Sequence, residues 1–157
     1  MEKILCSVIV PMYNEEEVII ETYRRLTHVM NNIGESYEII FINDGSRDKT
    51  RSMIHELCNK DKNIKMIDFA RNFGHQIAIT AGMDYAAGEC MVIIDGDLQD
   101  PPELIPDMIN RWREGYDVVY GKRISRQGES LFKKTTAKAY YRILRGLTNV
   151  DIPVDTG

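Results

Sequence analysis

The chain has 157 residues, of which 43% are hydrophobic and 28% charged, and its formal net charge is −4. This size and apolar content suit one compact domain with a substantial core, so we expect a single domain over 1–157. No run of about 18 apolar residues occurs, and the first residues lead straight into a strand pattern, which argues against a membrane-spanning helix and a secretory signal.

Charge and cysteine content narrow the kinds of partner and site. The segment 122–146 holds eight Lys or Arg and one Glu, a net charge of +7, so the rest of the chain carries −11. Such a local excess of positive charge indicates an anionic partner.

Cys6, Cys58 and Cys90 show neither Cys-x-x-Cys nor a zinc-type spacing with His, so we expect reduced core residues of an intracellular protein.

Short apolar runs alternate with helical patterns along the chain. Helical periodicity occurs over 18–33, 53–58 and 104–112, and another helix is expected to start after 70–75. The alternation predicts an α/β fold with a mainly parallel sheet that helices cover on both faces, and ligands bind beyond the carboxyl ends of such strands. The predicted strands, rich in Ile and Val, are 4–10, 37–42, 64–69, 91–94 and 117–120.

Polar motifs follow three of the predicted strands. Pro-Met-Tyr-Asn-Glu occupies 11–15, Asn-Asp-Gly-Ser-Arg-Asp occupies 43–48, and Asp-Gly-Asp-Leu-Gln-Asp-Pro-Pro occupies 95–102. Because the carboxyl ends of parallel strands meet at one edge of a sheet, we expect these motifs to line one crevice.

A metal ion is the expected means of holding a diphosphate in this crevice. Neither Gly-x-Gly-x-x-Gly nor Gly-x-x-x-x-Gly-Lys-Ser/Thr follows a predicted strand. Asp97 and Gln99, with Asp95 nearby, supply oxygen ligands, and the lack of clustered His or Cys favours Mg²⁺ or Mn²⁺ over zinc. An ordinary turn is the alternative interpretation, since Asp, Gly and Pro are common turn residues.

Helix capping is an alternative interpretation of the first two motifs. Asn14 is a candidate cap for the first helix, and Ser46 or Asp48 for the next. Capping does not explain why Asp44 and Tyr13 are also polar or aromatic at the crevice. We therefore favour ligand binding, and both roles can coexist.

Basic residues lie at two further strand ends. Arg71, in the motif at 70–75, is expected either to hold a nucleotide phosphate or to pair with the carboxylates of the crevice. His75 begins a helix, where capping or packing is more common than catalysis. Arg123 and Arg126 follow the fifth predicted strand, and their planar donor forks suit an anionic acceptor. The basic helical stripe beyond them suits a solvated face equally well.

Five motifs, at 10–15, 43–48, 70–74, 95–103 and 121–123, follow one another along the whole chain. Together they resemble those of family-two glycosyltransferases. The nearest branch is that of the polyprenyl-phosphate transferases, which include dolichyl-phosphate mannose synthase and bacterial undecaprenyl-phosphate glycosyltransferases. The resemblance implies a GT-A fold, an inverting mechanism, a UDP- or GDP-sugar donor and a Mg²⁺ or Mn²⁺ cofactor.

The resemblance also implies roles for individual residues. Asp97 and Gln99 would hold the metal on the donor diphosphate, and Asp97 would thereby act in catalysis. Arg123 would face the phosphates, and Asp155 matches an acidic motif near the reacting sugar. The residues implied around the nucleotide are Pro11, Tyr13, Glu15, Asp44 and Asp95.

We expect an inverting, metal-dependent transfer to a polyprenyl phosphate. A phosphate monoester with a second pKa of about 6 is largely dianionic at neutral pH, so its site needs cations more than a strong base. We therefore expect Arg123 and Arg126 to bind the acceptor and Asp155 to act as a positioning residue or weak base. The alternatives are a family-two transferase acting on a sugar hydroxyl, a nucleotide-sugar-binding domain without turnover, and a nucleotidyltransferase, whose glycine-rich basic loop is missing.

The end of the sequence shapes one more expectation. The stretch 149–157 stops without a helix cap or a charged tail and looks like a cut through a longer protein. Relatives of the resembled branch continue with more of the acceptor side and commonly with membrane helices. We therefore expect a C-terminally truncated catalytic domain, soluble by itself, whose full-length form works at the cytoplasmic side of a membrane.

Overall fold

The computed structural model of the protein describes residues 3–121, which form alternating strands and helices. Within the described residues, the chain up to Asp117 forms one compact unit. The strands are β1 (Cys6–Met12), β2 (Tyr37–Asn43), β3 (Ile64–Asp68) and β4 (Cys90–Ile93). The helices are α1 (Ile19–Ile33), α2 (Thr50–Lys60), α3 (His75–Tyr85) and α4 (Ile105–Arg113), with a 3₁₀ turn at Pro102–Leu104 before α4.

The four strands form one parallel sheet in the order β3-β2-β1-β4. Every residue of β1 and β2 is buried, as expected for central strands that helices cover on both faces. The predicted α/β fold and the first four predicted strands are therefore confirmed. No helix among residues 3–121 combines the length and the apolar content needed to cross a bilayer.

Two hydrophobic clusters occupy opposite faces of the sheet. On one face α1, α2 and α4 pack on alternate strand residues such as Val8 and Phe41. On the other face α3 packs on Ile9 and Ile42, which alternate with the first set. Gly82 of α3 permits this close approach, because an added Cβ would lie 2.5 Å from the Ile9 Cγ2 atom.

A buried carboxylate lies on the α3 face of β2. Glu38 is 1% exposed, and its Oε1 accepts hydrogen bonds from Ser7 Oγ at 2.5 Å and the Ala87 N–H at 2.7 Å. Its Oε2 forms an ion pair with Lys65. Ser7 Oγ in turn accepts the Gly88 N–H at 2.9 Å. The network fixes the connection between α3 and β4 to the middle of the sheet.

The predicted fifth strand at 117–120 is wrong. These residues belong to no strand, and Val118 and Tyr120 are 78% and 66% exposed. Their short apolar run is typical of a buried strand, but a strand also requires a hydrogen-bonded neighbour. Within residues 3–121 the sheet pairing ends at β4.

Candidate functional site

The carboxyl edge of the sheet brings the predicted motifs next to one another. We define the β1, β2, β3 and β4 loops as residues 13–18, 44–49, 69–74 and 94–101. Met12 connects three of these segments: its carbonyl accepts the Asp44 N–H at 2.9 Å, and its side chain lies against Gly96. Thr22 of α1 donates its hydroxyl to the Gly96 carbonyl at 2.8 Å. The β1, β2 and β4 loops therefore share one edge.

Pro11 and Tyr13 lie at the carboxyl end of β1, where Pro11 is buried and Tyr13 is exposed. Pro11 is buried in β1, just past the last β1–β4 pair, Ile9 and Ile93. Because proline lacks an N–H, it fits a point where the neighbouring strand no longer accepts a hydrogen bond. Tyr13 follows the strand and is exposed. Both residues thus lie where the sequence analysis expected them.

The β1 and β2 loops exchange backbone hydrogen bonds. The Asn14 N–H binds Ser46 Oγ at 3.0 Å, and Asn14 Oδ1 accepts the Arg47 N–H at 2.8 Å. Asn14 has a positive φ of 56°, which an Asn tolerates better than most residues. A second exchange joins the Glu16 N–H to Asp48 Oδ2 at 3.1 Å and the Lys49 N–H to Glu16 Oε2 at 2.8 Å.

These exchanges change the capping interpretation. The alternative in which Asn14 caps its own helix does not hold, because α1 begins at Ile19 and Asn14 binds the β2 loop instead. Ser46 likewise binds the other loop. Asp48 does reach its own helix, since its Oδ1 accepts the N–H of Thr50, the first residue of α2, at 3.0 Å. Each loop thus satisfies the other's backbone and makes both rigid.

Carboxylates from the β1 and β4 loops converge at this edge. Burial raises the pKa of the Glu15 carboxyl, and the negative charges of Asp97 and then Asp48 raise it further. The Glu15 N–H is held by Thr50 Oγ1 at 2.8 Å, which fixes the residue in place. A nearby cation would relieve the repulsion between Glu15 and Asp97.

The β4 loop presents the predicted metal ligands in a tight turn. Asp97 Oδ1 accepts the Gln99 N–H at 3.0 Å, and Leu98 between them has a positive φ of 62°. Within residues 3–121 no group of three or more His, Cys, Asp or Glu side chains suits a metal. Mg²⁺ and Mn²⁺ need fewer protein ligands when substrate phosphates and water complete the shell. The oxygens of Asp97 and Gln99, beside the repelling Glu15 carboxylate, fit such an ion.

Asp44 holds the β3 loop. It is 4% exposed, and its two carboxylate oxygens accept the N–H groups of Phe73 at 2.7 Å and Gly74 at 3.0 Å. Next to it, Gly45 has a φ of 66°, and an added Cβ would lie 2.7 Å from the Arg71 Cα atom. Asp44 therefore lies at the predicted edge and ties the β2 loop to the start of α3.

The β3 loop and the start of α3 place Arg71 and His75 at this edge, and the contacts of both differ from those expected from the sequence. His75 Nε2 lies 3.6 Å from Asp95 Oδ1, so His75 adjoins a predicted nucleotide ligand although it was assigned only to capping or packing. The guanidinium of Arg71 lies over the Phe73 ring, 4.3 Å from its centroid. Within residues 3–121 Arg71 forms no ion pair with the carboxylates of the edge, which removes support for that alternative.

The sequence offered only a weak signal for these contacts. Phe73 is an exposed aromatic residue two positions from Arg71, in the loop between a strand and a helix. The predicted acceptor ligands Arg123 and Arg126 and the predicted Asp155 lie outside the described residues. Their roles stay predictions.

Comparison with known proteins identifies relatives. Residues 7–157 match the family described as Glycosyl transferase family 2. The uncharacterized glycosyltransferase YkcC of Bacillus subtilis (strain 168) is 59% identical over 151 residues, which cover 96% of this chain and 47% of that protein. The prophage bactoprenol glucosyl transferase homolog of Escherichia coli (strain K12) is 39% identical, with coverages of 96% and 49%. The chain thus spans about half the length of the curated relatives it matches.

Solved structures share the architecture. S. aureus TarS 1-349 in complex with UDP superposes with a TM-score of 0.61 at 25% identity, over 82% of this chain and 38% of that chain. The mannosyltransferase PcManGT from Pyrobaculum calidifontis, in complex with GDP-Man and Mn²⁺, gives a TM-score of 0.61 at 21% identity, with coverages of 89% and 38%. The parallel sheet with its helices is therefore of the GT-A type.

Proposed function

The chain belongs to glycosyl transferase family 2, and from this membership we propose that it forms the donor-binding part of a glycosyltransferase that moves a sugar from a nucleotide-diphospho-sugar to a polyprenyl phosphate. One structural observation carries the donor half of the proposal: the Asp97 carboxylate of the β4 loop lies close enough to the Glu15 carboxyl of the β1 loop to contribute, after burial, to its raised pKa, so acids from two loops meet at one edge of the sheet. Relatives named bactoprenol glucosyl transferase, at 38–39% identity, support the lipid acceptor.

The donor is held by residues of the carboxyl edge. Asp97 and Gln99 would hold a Mg²⁺ or Mn²⁺ ion, whose positive charge would offset the negative charge of the leaving nucleoside diphosphate. The nucleoside lies against Pro11, Tyr13 and Glu15. The hydrogen bonds of Asn14 and Glu16 to the β2 loop, and of the Glu15 N–H to Thr50, hold this stretch of chain. Fixing these groups before the donor arrives reduces the entropy lost on binding.

The donor pocket has a second side, which the β3 loop supplies. Arg71 binds the donor phosphates with its guanidinium, and Asp95 contacts the nucleoside beside His75. Asp44 keeps this loop in place through the Phe73 and Gly74 N–H groups. The acceptor oxygen then attacks the anomeric carbon from the face opposite the leaving group, and the configuration at that carbon inverts.

The acceptor is a phosphate, so its binding depends on positive charge. Arg123 and Arg126 bind its oxygens, while Asp155 positions the reacting groups or acts as a weak base. Binding of this lipid places the full-length protein at the cytoplasmic surface of a membrane. A sugar hydroxyl would instead have to lose a proton, which would make Asp155 essential.

Donor titration tests the first half of the proposal. The chain is titrated calorimetrically with UDP-glucose and with GDP-mannose, once with Mn²⁺ and once with EDTA. We expect binding of one donor that requires Mn²⁺. Equal affinity in EDTA would contradict the metal assignment, and no binding of either donor would contradict the donor site.

A pair of variants in the full-length protein tests the acceptor class. Transfer to undecaprenyl phosphate is measured for Arg123→Ala and for Asp155→Asn. We expect the larger loss from Arg123→Ala, because a dianionic phosphate needs a cation more than a base. Total loss from Asp155→Asn with little loss from Arg123→Ala would favour a hydroxyl acceptor instead.

A further inference from the structure

The β3 loop contains an aromatic residue whose backbone is fixed but whose ring remains half in solvent. Phe73 is 42% exposed, yet its N–H is bound to Asp44 at 2.7 Å. The Phe69 ring meets it edge to face, with centroids 5.4 Å apart and planes at 80°. Such a geometry is a favourable one for an aromatic pair. The position and tilt of the Phe73 ring are therefore set by its neighbours.

The Arg71 guanidinium lies over this ring. The distance of 4.3 Å from Arg71 Cζ to the ring centroid is within the range of a cation–π contact. An exposed arginine otherwise samples many rotamers, and the conformational entropy of these rotamers is lost when the side chain binds a ligand. The backbone of Arg71 is also confined, since it passes directly against Gly45. Both ends of the side chain are thereby restrained.

Stacking restrains the guanidinium without occupying its donors. Within residues 3–121 the Arg71 side chain makes no hydrogen bond and no ion pair. A carboxylate partner would consume the donor fork, whereas an aromatic face holds the plane and leaves the edge N–H groups available. Arg51, by contrast, donates its Nε–H to Asp68 at 2.7 Å. Arg71 thus differs from Arg51, whose donor binds a carboxylate.

We propose that Phe73 is a positioning residue that holds the Arg71 guanidinium ready to bind a phosphate oxygen of the donor nucleotide. This inference rests on the proposed function, since the phosphate is that of the donor. The full charge of the guanidinium selects a phosphate over a neutral carbonyl, because a hydrogen bond between charged groups is about twice as strong as a neutral one. Phe73 acts through Arg71 and needs no contact with the nucleotide.

A double-mutant cycle tests this role. UDP and GDP are titrated in Mn²⁺ into the wild-type chain, Phe73→Leu, Arg71→Gln and the double variant, and each melting curve is recorded to establish folding. Arg71→Gln should weaken binding by about tenfold to a hundredfold, the range of a lost charge-assisted hydrogen bond. Phe73→Leu should weaken it about threefold to fivefold, the range of an exposed cation–π contact.

The cycle should also show that the effects of Phe73 and Arg71 on nucleotide binding are coupled, and that an aromatic replacement of Phe73 preserves binding. Phe73→Leu should have no further effect in the Arg71→Gln background, because the residue it positions is gone. Phe73→Tyr should bind within about twofold of wild type, since it keeps the aromatic face. Uridine, which lacks phosphate, should bind all four proteins of the cycle equally.

Two outcomes separate this inference from the proposed function. Equal losses from Phe73→Leu in both backgrounds, or no loss at all in a folded variant, would overturn the positioning role while donor binding itself stands. Failure of the wild-type chain to bind either nucleotide would overturn the donor site and this inference with it.

Discussion

The two sides of the carboxyl edge satisfy their polar groups in opposite ways. On the β1–β2 side, Asn14, Glu16 and Asp48 exchange hydrogen bonds with the backbone of the facing loop. On the β4 side and within residues 3–121, Asp97 accepts one N–H from its own turn, and the half-exposed His75 lies 3.6 Å from Asp95. The first side thus uses its polar groups to hold the fold, whereas Asp95 and Asp97 of the second side are placed to bind a ligand.

This difference indicates how the site is divided. A ligand pocket needs walls that do not move and groups that remain free to bind. Substitutions on the β1–β2 side should therefore lower stability first, and substitutions on the β4 side should lower binding first. The predictions below test that division.

The largest effect is expected from Asp97→Ala. Removing a metal ligand should weaken Mn²⁺-dependent nucleotide binding at least about a hundredfold, with little change in the melting temperature, because Asp97 supports only its own turn. Titration calorimetry measures the nucleotide affinity, and a melting curve measures the melting temperature. Asp84→Ala, the same change at an exposed acid near the end of α3, is the matched control and should bind normally. A large loss of stability in Asp97→Ala would contradict the claim that substitutions on the β4 side lower binding before they lower stability.

Gly45→Ala should destabilise the fold strongly. The residue has a φ of 66°, and an added Cβ would collide with the Arg71 backbone. Left-handed strain and the collision together should cost about 3 kcal/mol of unfolding free energy. Gly34→Ala is the matched control, because its φ is 75° but nothing lies within 4 Å of the added Cβ.

Gly34→Ala should therefore cost only about 1 kcal/mol, the strain alone. Urea unfolding of the two variants measures the difference. Equal losses would show that the β2 and β3 loops do not press against each other in solution.

Asp48→Ala should cost a smaller amount. Its carboxylate accepts the N–H groups of Glu16 and Thr50, so the variant leaves two backbone donors without their partner. We expect a loss of about 1–2 kcal/mol in urea unfolding, and Asp48→Asn, which keeps one acceptor oxygen, should lose less. Weaker nucleotide binding by a fully stable Asp48→Ala protein would contradict the scaffold role of this side.

The smallest expected effect is the loss of stability at low pH that comes from Glu38. Burial by itself raises the pKa of Glu38, but hydrogen bonds from Lys65, Ser7 and the Ala87 N–H outweigh it and hold the pKa below the ordinary value of 4.5. A lowered pKa in the folded state gives stability that is present above pH 4.5 and is lost as the pH falls through the folded value.

The unfolding free energy should therefore decrease with acid below pH 4.5. Chemical unfolding at a series of pH values measures the slope, and Lys65→Met should flatten it by removing the cation that faces Glu38. An unchanged slope in that variant would show that other acids govern the acid loss.

Sequence patterns predicted the parts of this molecule that depend on local periodicity. The Ile- and Val-rich runs around Val8 and Ile40 form central parallel strands that are buried on both faces, whereas the run around Val92 forms an edge strand in which Ile93 is exposed. The same reasoning placed the polar motifs at one edge. The apolar run at 117–120 was wrongly predicted to be a strand, because within residues 3–121 it has no paired neighbour and Val118 and Tyr120 are exposed.

Contacts between loops were beyond the reach of the same patterns. Asn14 has the residue type of a helix cap, but whether it caps its own helix or binds Arg47 depends on the spacing of two loops in space. The stacking of Arg71 on Phe73 and the approach of His75 to Asp95 likewise depend on how Asp44 pulls the β3 loop across the edge. Tertiary geometry, rather than residue type, decides these roles.

The central claim is that acids from the β1 and β4 loops share one cation and nucleotide site. Mn²⁺ is paramagnetic, so its position can be read from the broadening of amide signals in the ¹⁵N-labelled chain with bound UDP or GDP. We predict the strongest broadening at Glu15, Asp97 and Gln99, decreasing toward Tyr37 and Cys90 at the opposite edge of the sheet. Strongest broadening at that opposite edge, or broadening that does not depend on nucleotide, would contradict the account.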